Sequence, residues 1–323
     1  MRHRRPLTID TAKNFTIITP GGSMKRDFLS IFDLHKDEIL EIFALTKKLK
    51  AAQKKGVDHK ILKDKTLAMI FEKPSLRTRV TFETGMTQLG GHAIYLAPTD
   101  INLGTRESVP DAARNLSRLV DLIMARVFAH KTVEDLAKSS TITVINGLSD
   151  LEHPCQVMAD LFTIREKRAS LEKTTIAYIG DGNNVCNSLI AASTLLKFKL
   201  NISTPRGYEP NKEYIAKTKE VLLTHDPKEA VKDAHIIYTD VWASMGQEQE
   251  AQKRKKVFQS YQINRELLQS APRDYMIMHC LPAHRGEEIT DEVIDSPASI
   301  VLDQAENRLH IQKALMVWLL QIS

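Results

Sequence analysis

The sequence predicts an α/β protein of two domains, each a mainly parallel sheet flanked by helices, with a cleft between them. Three observations carry this. The chain has 323 residues, too many for one ordinary small core and suited to two domains of roughly 150 residues. Short apolar runs of strand length alternate with stretches of helix length, as crossover units between parallel strands require. The alternation restarts after a long helix near 154–167, so it is read twice.

In chain order, residues 35–55 place Ile39, Leu40, Ile42, Phe43 and Leu49 between lysines, an amphipathic helix. A buried strand over 66–71 precedes a helix over 80–89, stopped at Gly90-Gly91. A strand at 92–96, a loop over 97–108, a helix over 110–121, a strand over 122–128, a short helix over 132–138 and a strand over 141–145 follow, the last ended by Asn146-Gly147. The long helix from 154 to 167 has Pro in its first turn. After it come a strand (174–179), a helix (184–198), a strand (200–204), a helix (211–223), a short helix (227–233) and a strand (235–239). Residues 243–258 are polar without apolar periodicity; strands at 275–279 and 300–302 and a closing helix over 304–320 complete the chain. The expected division is a flexible N-terminal extension (1–23), a first domain (24–160), a second (161–303) and a last helix (304–323) packing back on the first.

Composition narrows the class. Hydrophobic content of 42% and charged content of 26% are those of a globular protein. The 45 cationic residues face 40 anionic ones, an excess too slight for a nucleic-acid surface and compatible with a small anionic substrate. Cys155, Cys186 and Cys280 match neither a zinc site nor a disulfide framework, which suits a reducing cytoplasm. No run of 18 apolar residues occurs, so no membrane span is expected. Arg2, Arg4 and Arg5 lead a polar stretch with no apolar region of the secretory kind.

The most informative stretch is Glu72-Lys73-Pro74-Ser75-Leu76-Arg77-Thr78-Arg79, lying where a strand turns into a helix. Free backbone N–H groups and the positive end of the helix dipole favour an anion there, and Arg77 adds a planar fork for phosphate oxygens. The plain alternative is a surface turn whose Ser/Thr caps a helix and whose arginines are solvated. Arg126 sits inside an apolar strand run, where a charge is costly unless paired: it is a buried structural ion pair or an anion-facing Arg at a strand end. His153 and Gln156 are placed to face one point at a helix start, or to form a capping box. Gly180-Asp181-Gly182-Asn183-Asn184 tempts a dinucleotide reading, but the third glycine is replaced by Val185 and the next strand ends without an acid. Asn184 reads better as a polar contact at a strand end. Asp240, followed by Ser244-Met245-Gly246, can hold an ammonium, or is a solvated connector. Cys280, in His279-Cys280-Leu281-Pro282, is either inert packing or a polar contact.

Taken in order, Ser-Leu-Arg-Thr-Arg (75–79), Arg126, His-Pro-Cys-Gln (153–156), Gly-Asp-Gly-Asn-Asn (180–184), Asp240 with Ser-Met-Gly (244–246), His-Cys-Leu-Pro (279–282) and Ala-Glu-Asn-Arg (305–308) closely resemble the ornithine branch of the aspartate/ornithine carbamoyltransferase family, from residue 24 to the end. The resemblance implies transfer of the carbamoyl group of carbamoyl phosphate to the δ-amine of L-ornithine, with no metal or organic cofactor, in a homotrimer or a multiple of trimers. It implies that Ser75, Arg77 and Thr78, with the Leu76 backbone, hold the phosphate, and that Arg126 bridges phosphate and carbonyl oxygen. His153 and Gln156 would fix the carbamoyl group, helped by Arg308 and the backbone of Cys280 and Leu281, with Asn102 a further contact. Asn184, Asp240, Ser244 and Met245 would bind ornithine, with Cys280 beside the reacting amine, and catalysis would fall to Arg126, His153, Asp240 and Cys280. Leu76 departs from the threonine of many relatives, a change a backbone contact tolerates. Residues 245–256 are expected to form a lid. Among other amines, putrescine is the alternative acceptor; lacking an α-carboxylate and α-amine, it has no need of Asp240, Ser244 and Met245.

Overall fold

The computed structural model describes residues 25–168, 170–243 and 250–321; the expected extension over 1–23 lies outside them. The chain divides into two compact units. Of the described residues, the first comprises those up to Leu29, Asp37–Ser149 and those from Leu309; the second comprises Ser30–Lys36 and those between Asp150 and Arg308.

The first unit contains α1 (Lys36–Lys54), β1 (Thr66–Phe71), α2 (Leu76–Gln88), β2 (His92–Leu96), α3 (Pro98–Ile101), α4 (Val109–Leu119), β3 (Leu122–Arg126), α5 (His130–Ser139) and β4 (Thr143–Leu148). Its sheet is parallel in the order β2-β1-β3-β4. Strand order therefore reverses between β1 and β3, and the carboxyl ends of those neighbours are where open α/β sheets hold ligands. One face is covered by α4 and α5 through Ile70, Ile123, Ala125, Val133, Leu136 and Val144. The dense apolar strands, buried at every position in β3 and β4, are what a sheet covered on both faces demands.

The second unit contains α6 (Pro154–Lys167), β5 (Thr175–Ile179), α7 (Asn184–Leu196), β6 (Lys199–Ser203), α8 (Lys212–Ile215), β7 (Val221–Thr224), α9 (Pro227–Val231), β8 (Ile236–Thr239), α10 (Ala251–Phe258), α11 (Arg265–Leu268), β9 (Met276–His279), α12 (Asp291–Ile294) and the start of α13 (Val301–Gln321). Its sheet, also parallel, runs β7-β6-β5-β8-β9, with the reversal between β5 and β8. Ile179, Ile237 and Ile277 pack with Trp242, Phe258, Tyr261 and Ile289.

Several expected bounds move, each for a local reason. The helix expected over 80–89 begins at Leu76, because Ser75 caps it directly after the strand turn. The strand expected to stop at Asn146 runs on to Leu148. The loop over 97–108 contains α3, which Asn102 ends in the left-handed conformation. The helix expected over 211–223 is only α8; Val221–Thr224 is instead the edge strand β7, paired with β6, with Leu222 and Leu223 exposed. The strand expected over 300–302 is the first turn of α13; Ser299 makes a single bridge to Ile277 before the chain coils. The stretch over 243–258 contains α10 despite its weak apolar pattern, because Arg254 and Phe258 are both buried.

Candidate active site

In the first unit the anion-binding expectation rests on Ser75. Its side chain accepts the Thr78 N–H at 3.3 Å and donates to Thr78 Oγ1 at 3.1 Å. The cap leaves the N–H groups of the first turn of a 13-residue helix at the end of β1, the setting in which an anion is stabilised. Leu76 is exposed and Thr78 fully buried. Arg79 is spoken for: Nε donates to Glu83 at 3.0 Å and the guanidinium lies 3.9 Å from the Tyr95 ring centroid. Arg77 is half-buried on the same turn.

Arg126 ends β3 opposite Phe71, the end of β1. The Glu72 N–H donates to the Arg126 carbonyl at 2.9 Å, and Glu72 Oε2 accepts the Phe128 N–H at 2.6 Å. These bonds tie the two strand ends together. Pairing with β4 slips after Ala125, so Arg126 faces Leu148 and Gly147 is passed over. A Cβ on Gly147 would lie 2.4 Å from Met124 Sδ, which explains the glycine at the irregularity. Asn102 is exposed in this unit; its carbonyl accepts N–H groups from Thr105 and Arg106.

In the second unit the centre is Asp240, just past β8 and buried. Asn183 Nδ2 donates to its Oδ2 at 2.7 Å. Its Oδ1 accepts the Val241 N–H at 2.8 Å and Cys280 Sγ at 2.9 Å. Asn183 is itself pinned, because its Oδ1 caps α7 by accepting the N–H groups of Val185 and Cys186 and also the Tyr178 hydroxyl. Asn184 is the first residue of α7. Asp240 and Cys280 are therefore in direct contact at neighbouring strand ends, whereas Ser244 and Met245 lie outside the described residues. Of the lid expected over 245–256, the described part belongs largely to α10. Arg254 there donates to Asp181 at 2.8 Å and to the Trp242 carbonyl at 2.8 Å. Burial pushes the Asp181 carboxyl up to about 6 against the pull of that guanidinium.

After β9 the backbone is shaped by His279. Its Nδ1 accepts the Leu281 N–H at 2.8 Å, so the ring proton sits on Nε2, 3.0 Å from Glu288. Leu281 has φ +58°, a conformation that costs a branched residue roughly 1–2 kcal/mol and that this bond holds. The Leu281 N–H is thereby engaged.

His153 caps α6 without a side-chain cap bond; its N–H donates to Ser188 Oγ at 2.9 Å. The capping-box alternative fails, since Gln156 Nε2 donates instead to Asp160 at 2.8 Å. Asp160 is fully buried and also accepts Gln304 Nε2 and the Tyr238 hydroxyl. Burial lifts its carboxyl to about 7, opposed by those three donors and by Arg308, itself buried in α13. Two of the three cysteines are buried; burial pushes the Cys155 thiol up to about 12 and raises Cys186 as well. Cys280 is half-exposed.

Asn183, Asp160 and Gln304 were not among the expected site residues. Asn183 carried a legible signal, an Asn directly before an apolar helix. Asp160 and Gln304 meet across 144 positions, which no local pattern reveals. Two groups could supply metal ligands among the described residues: Asp240, His279 and Cys280, and the partly exposed His284, Glu287 and Glu288. In the first, both His279 ring nitrogens and both Asp240 oxygens are already hydrogen-bonded, so a metal would have to displace these bonds.

Two family models match nearly the whole described chain: the carbamoyl-phosphate-binding domain of aspartate/ornithine carbamoyltransferase over residues 26–166, and the aspartate/ornithine-binding domain over 172–319. The chain belongs to the aspartate/ornithine carbamoyltransferase family. It is 55% identical over 303 residues to the ornithine carbamoyltransferase of Pyrococcus horikoshii, covering 91% of this chain and 96% of that one. With the ornithine carbamoyltransferase of Archaeoglobus fulgidus it shares 56% over 299 residues, covering 91% and 97%. The solved ornithine carbamoyltransferase of Pyrococcus furiosus superposes with a TM-score of 0.88 at 54% identity, covering 91% of this chain and 96% of that one. The carbamoyltransferase from Thermus thermophilus gives 0.85 at 44%, covering 92% and 99%. Two parallel-sheet domains flanked by helices are thus the family's fold. No helix among the described residues is long and apolar enough to cross a membrane.

Proposed function

We propose that the protein transfers the carbamoyl group of carbamoyl phosphate to the δ-amine of L-ornithine, giving L-citrulline and phosphate. The observation that carries this is the Asp240–Cys280 contact of 2.9 Å at the neighbouring ends of β8 and β9, beside the strand-order reversal. It provides a carboxylate for an ammonium-bearing substrate within a domain whose family takes aspartate or ornithine. Aspartate is the poorer fit, because Asp240 repels it.

The reaction poses three problems. The δ-amine resembles lysine, with pKa ~10.4, so near pH 7 only about 1 in 2,500 is neutral, a cost of about 4.6 kcal/mol. Asp240 orients the amine; the departing phosphate receives its proton, or Cys280 does so as a thiolate once its own proton has left. The tetrahedral intermediate carries an oxyanion, which Arg126 and His153 stabilise, each preorganised donor being worth roughly 2.7–4 kcal/mol. The leaving phosphate gathers charge, which Ser75, Arg77, Thr78 and the Leu76 N–H receive at the start of α2. Gln156, Arg308 and the backbone of Cys280 and Leu281 hold the carbamoyl group. Asn102 adds a contact to carbamoyl phosphate, and Asn184, Ser244 and Met245 contacts to ornithine. Holding both substrates in line contributes up to ~7–11 kcal/mol. The chemistry requires no metal. A homotrimer is carried over from the resemblance, and the free thiols suit the cytoplasm.

The test is citrulline-type product formation with ornithine, putrescine and acetylornithine side by side. Ornithine is expected to be the preferred acceptor by at least tenfold. Activity on putrescine alone overturns the assignment.

A further inference from the structure

Asp160 lies outside the residues assigned to the reaction, yet it is fully buried and touches one of them. The orientation of the amide groups around it follows from a backbone N–H. The His279 N–H can only donate, and it does so to Gln304 Oε1 at 3.0 Å. Gln304 Nε2 must then point the other way, and it donates to Asp160 Oδ1 at 2.8 Å and to Tyr238 Oη at 3.1 Å. Asp160 Oδ1 is thereby fixed as an acceptor. Any proton on this carboxyl has to sit on Oδ2, 2.9 Å from the Tyr238 hydroxyl. Gln156 shares Oδ1 at 2.8 Å, so its amide must present Nε2 to Asp160 in either protonation state. Its carbonyl oxygen Oε1 is what remains. Gln156 is 1% exposed, and among the described residues no donor lies within hydrogen-bonding distance of Oε1. A buried acceptor left in this state is expected to meet a donor on a ligand.

We infer that Asp160 is a positioning residue which, together with Gln304, locks the Gln156 amide so that its Oε1 accepts the N–H of the carbamoyl NH2 group, making the site selective for a carbamoyl over an acetyl phosphate. The inference rests on the proposed function and deepens it. Acetyl phosphate carries a methyl group where carbamoyl phosphate carries NH2, so it has no donor for Oε1 and is indifferent to how the amide points. A loss of general stability weakens both ligands; a lost amide orientation weakens only one.

The experiment measures the KM of carbamoyl phosphate and the inhibition constant of acetyl phosphate against it, in wild type and three variants. Gln304→Glu keeps an acceptor for the His279 N–H but turns a second oxygen on Asp160, so Oδ1 no longer faces a fixed N–H donor and the Gln156 amide is free to flip. Asp160→Leu removes the acceptor outright. Both are expected to raise the carbamoyl phosphate KM about tenfold or more while acetyl phosphate stays within about twofold. Asp160→Asn, which can keep its oxygen toward Gln156 and Gln304 and turn its NH2 to Tyr238, is expected to restore carbamoyl phosphate to within about threefold of wild type. Should Asp160→Leu fail to fold, Gln304→Glu decides alone. Equal loss on both ligands, no loss on either, or an Asp160→Asn as impaired as Asp160→Leu overturns the inference. A folded wild type that does not use carbamoyl phosphate overturns the proposed function and this inference with it; a wild type that does, beside unselective variants, overturns the inference alone.

Discussion

The two units place opposite charges at corresponding points of similar sheets. Where strand order reverses in the first, the carboxyl ends of β1 and β3 carry Ser75–Thr78 at a helix start and Arg126. Where it reverses in the second, the ends of β5 and β8 carry Asn183 and Asp240, with Cys280 following β9. The contrast extends to how each point is built. The proposed anion site draws on backbone N–H groups that the fold leaves open at any helix start, so it needs few side chains. A carboxylate at a strand end has no such free support and must be held by its own donors, here Asn183, Val241 and the Cys280 thiol. A parallel sheet thus supplies an anion site almost by default, whereas a cation site has to be constructed residue by residue.

The largest test of this contrast is Arg126→Met. If Arg126 stabilises the developing oxyanion, kcat falls about 10²–10³-fold with thermal stability little changed. A rise in KM alone assigns Arg126 to ground-state binding instead and breaks the parallel with an oxyanion donor. Asp240→Asn comes next. If Asp240 faces the substrate's ammonium group as proposed, removing its charge lowers kcat/KM for ornithine roughly 30-fold or more, with the KM of carbamoyl phosphate within about threefold; equal losses on both substrates show that the two charged points are not separate. Arg77→Ala is expected to cost about 10–100-fold in carbamoyl phosphate affinity, the loss of a charge-assisted hydrogen bond worth ~1.5–3 kcal/mol, because the helix start still contributes its N–H groups. Unchanged affinity removes Arg77 from the phosphate site.

The same asymmetry governs what the sequence discloses. The scaffold of the proposed anion site was legible because it is local: strand, turn and helix start fall within about a dozen consecutive residues. The parallel sheets were legible for a similar reason, since strands such as 122–126 are buried along their whole length and read as continuous apolar runs. Strand β7 was not, because an edge strand with Leu222 and Leu223 exposed lacks that pattern and continues a helical stretch without a break. Asp240 and Cys280 were visible as candidates at the ends of apolar strand runs, but the bond between them spans 40 positions. Asn183 as the support of Asp240, and the Gln304–Asp160–Gln156 relay, belong to tertiary structure that no short window encodes.

Lys313 gives the smallest and most selective test of the charge contrast. In the first unit this fully buried amine donates to Gln53, Gln88 and His59 Nε2, at 2.5, 2.8 and 3.3 Å. All three are uncharged acceptors, His59 being held with Nδ1 toward the Val57 carbonyl. Burial depresses Lys313 to about 8, below the ~10.4 of an unfolded lysine. Between these values the unfolded chain keeps a proton that the folded chain has released, so Lys313 makes stability rise with pH over that window, by at most ~1.4 kcal/mol per pH unit. The second unit's buried acids act in the opposite sense. Asp160, lifted to about 7, and Asp181, lifted to about 6, bind protons in the folded state at pH values where the unfolded chain has lost them, so their contribution falls as pH rises from about 4. Lys313→Met is therefore expected to flatten the alkaline limb of a urea-midpoint profile between about pH 8 and 10, and to leave the limb between pH 4 and 7 in place. A variant that retains the alkaline rise shows that another group carries it, and that the first unit's buried cation is neutralised by something other than its own deprotonation.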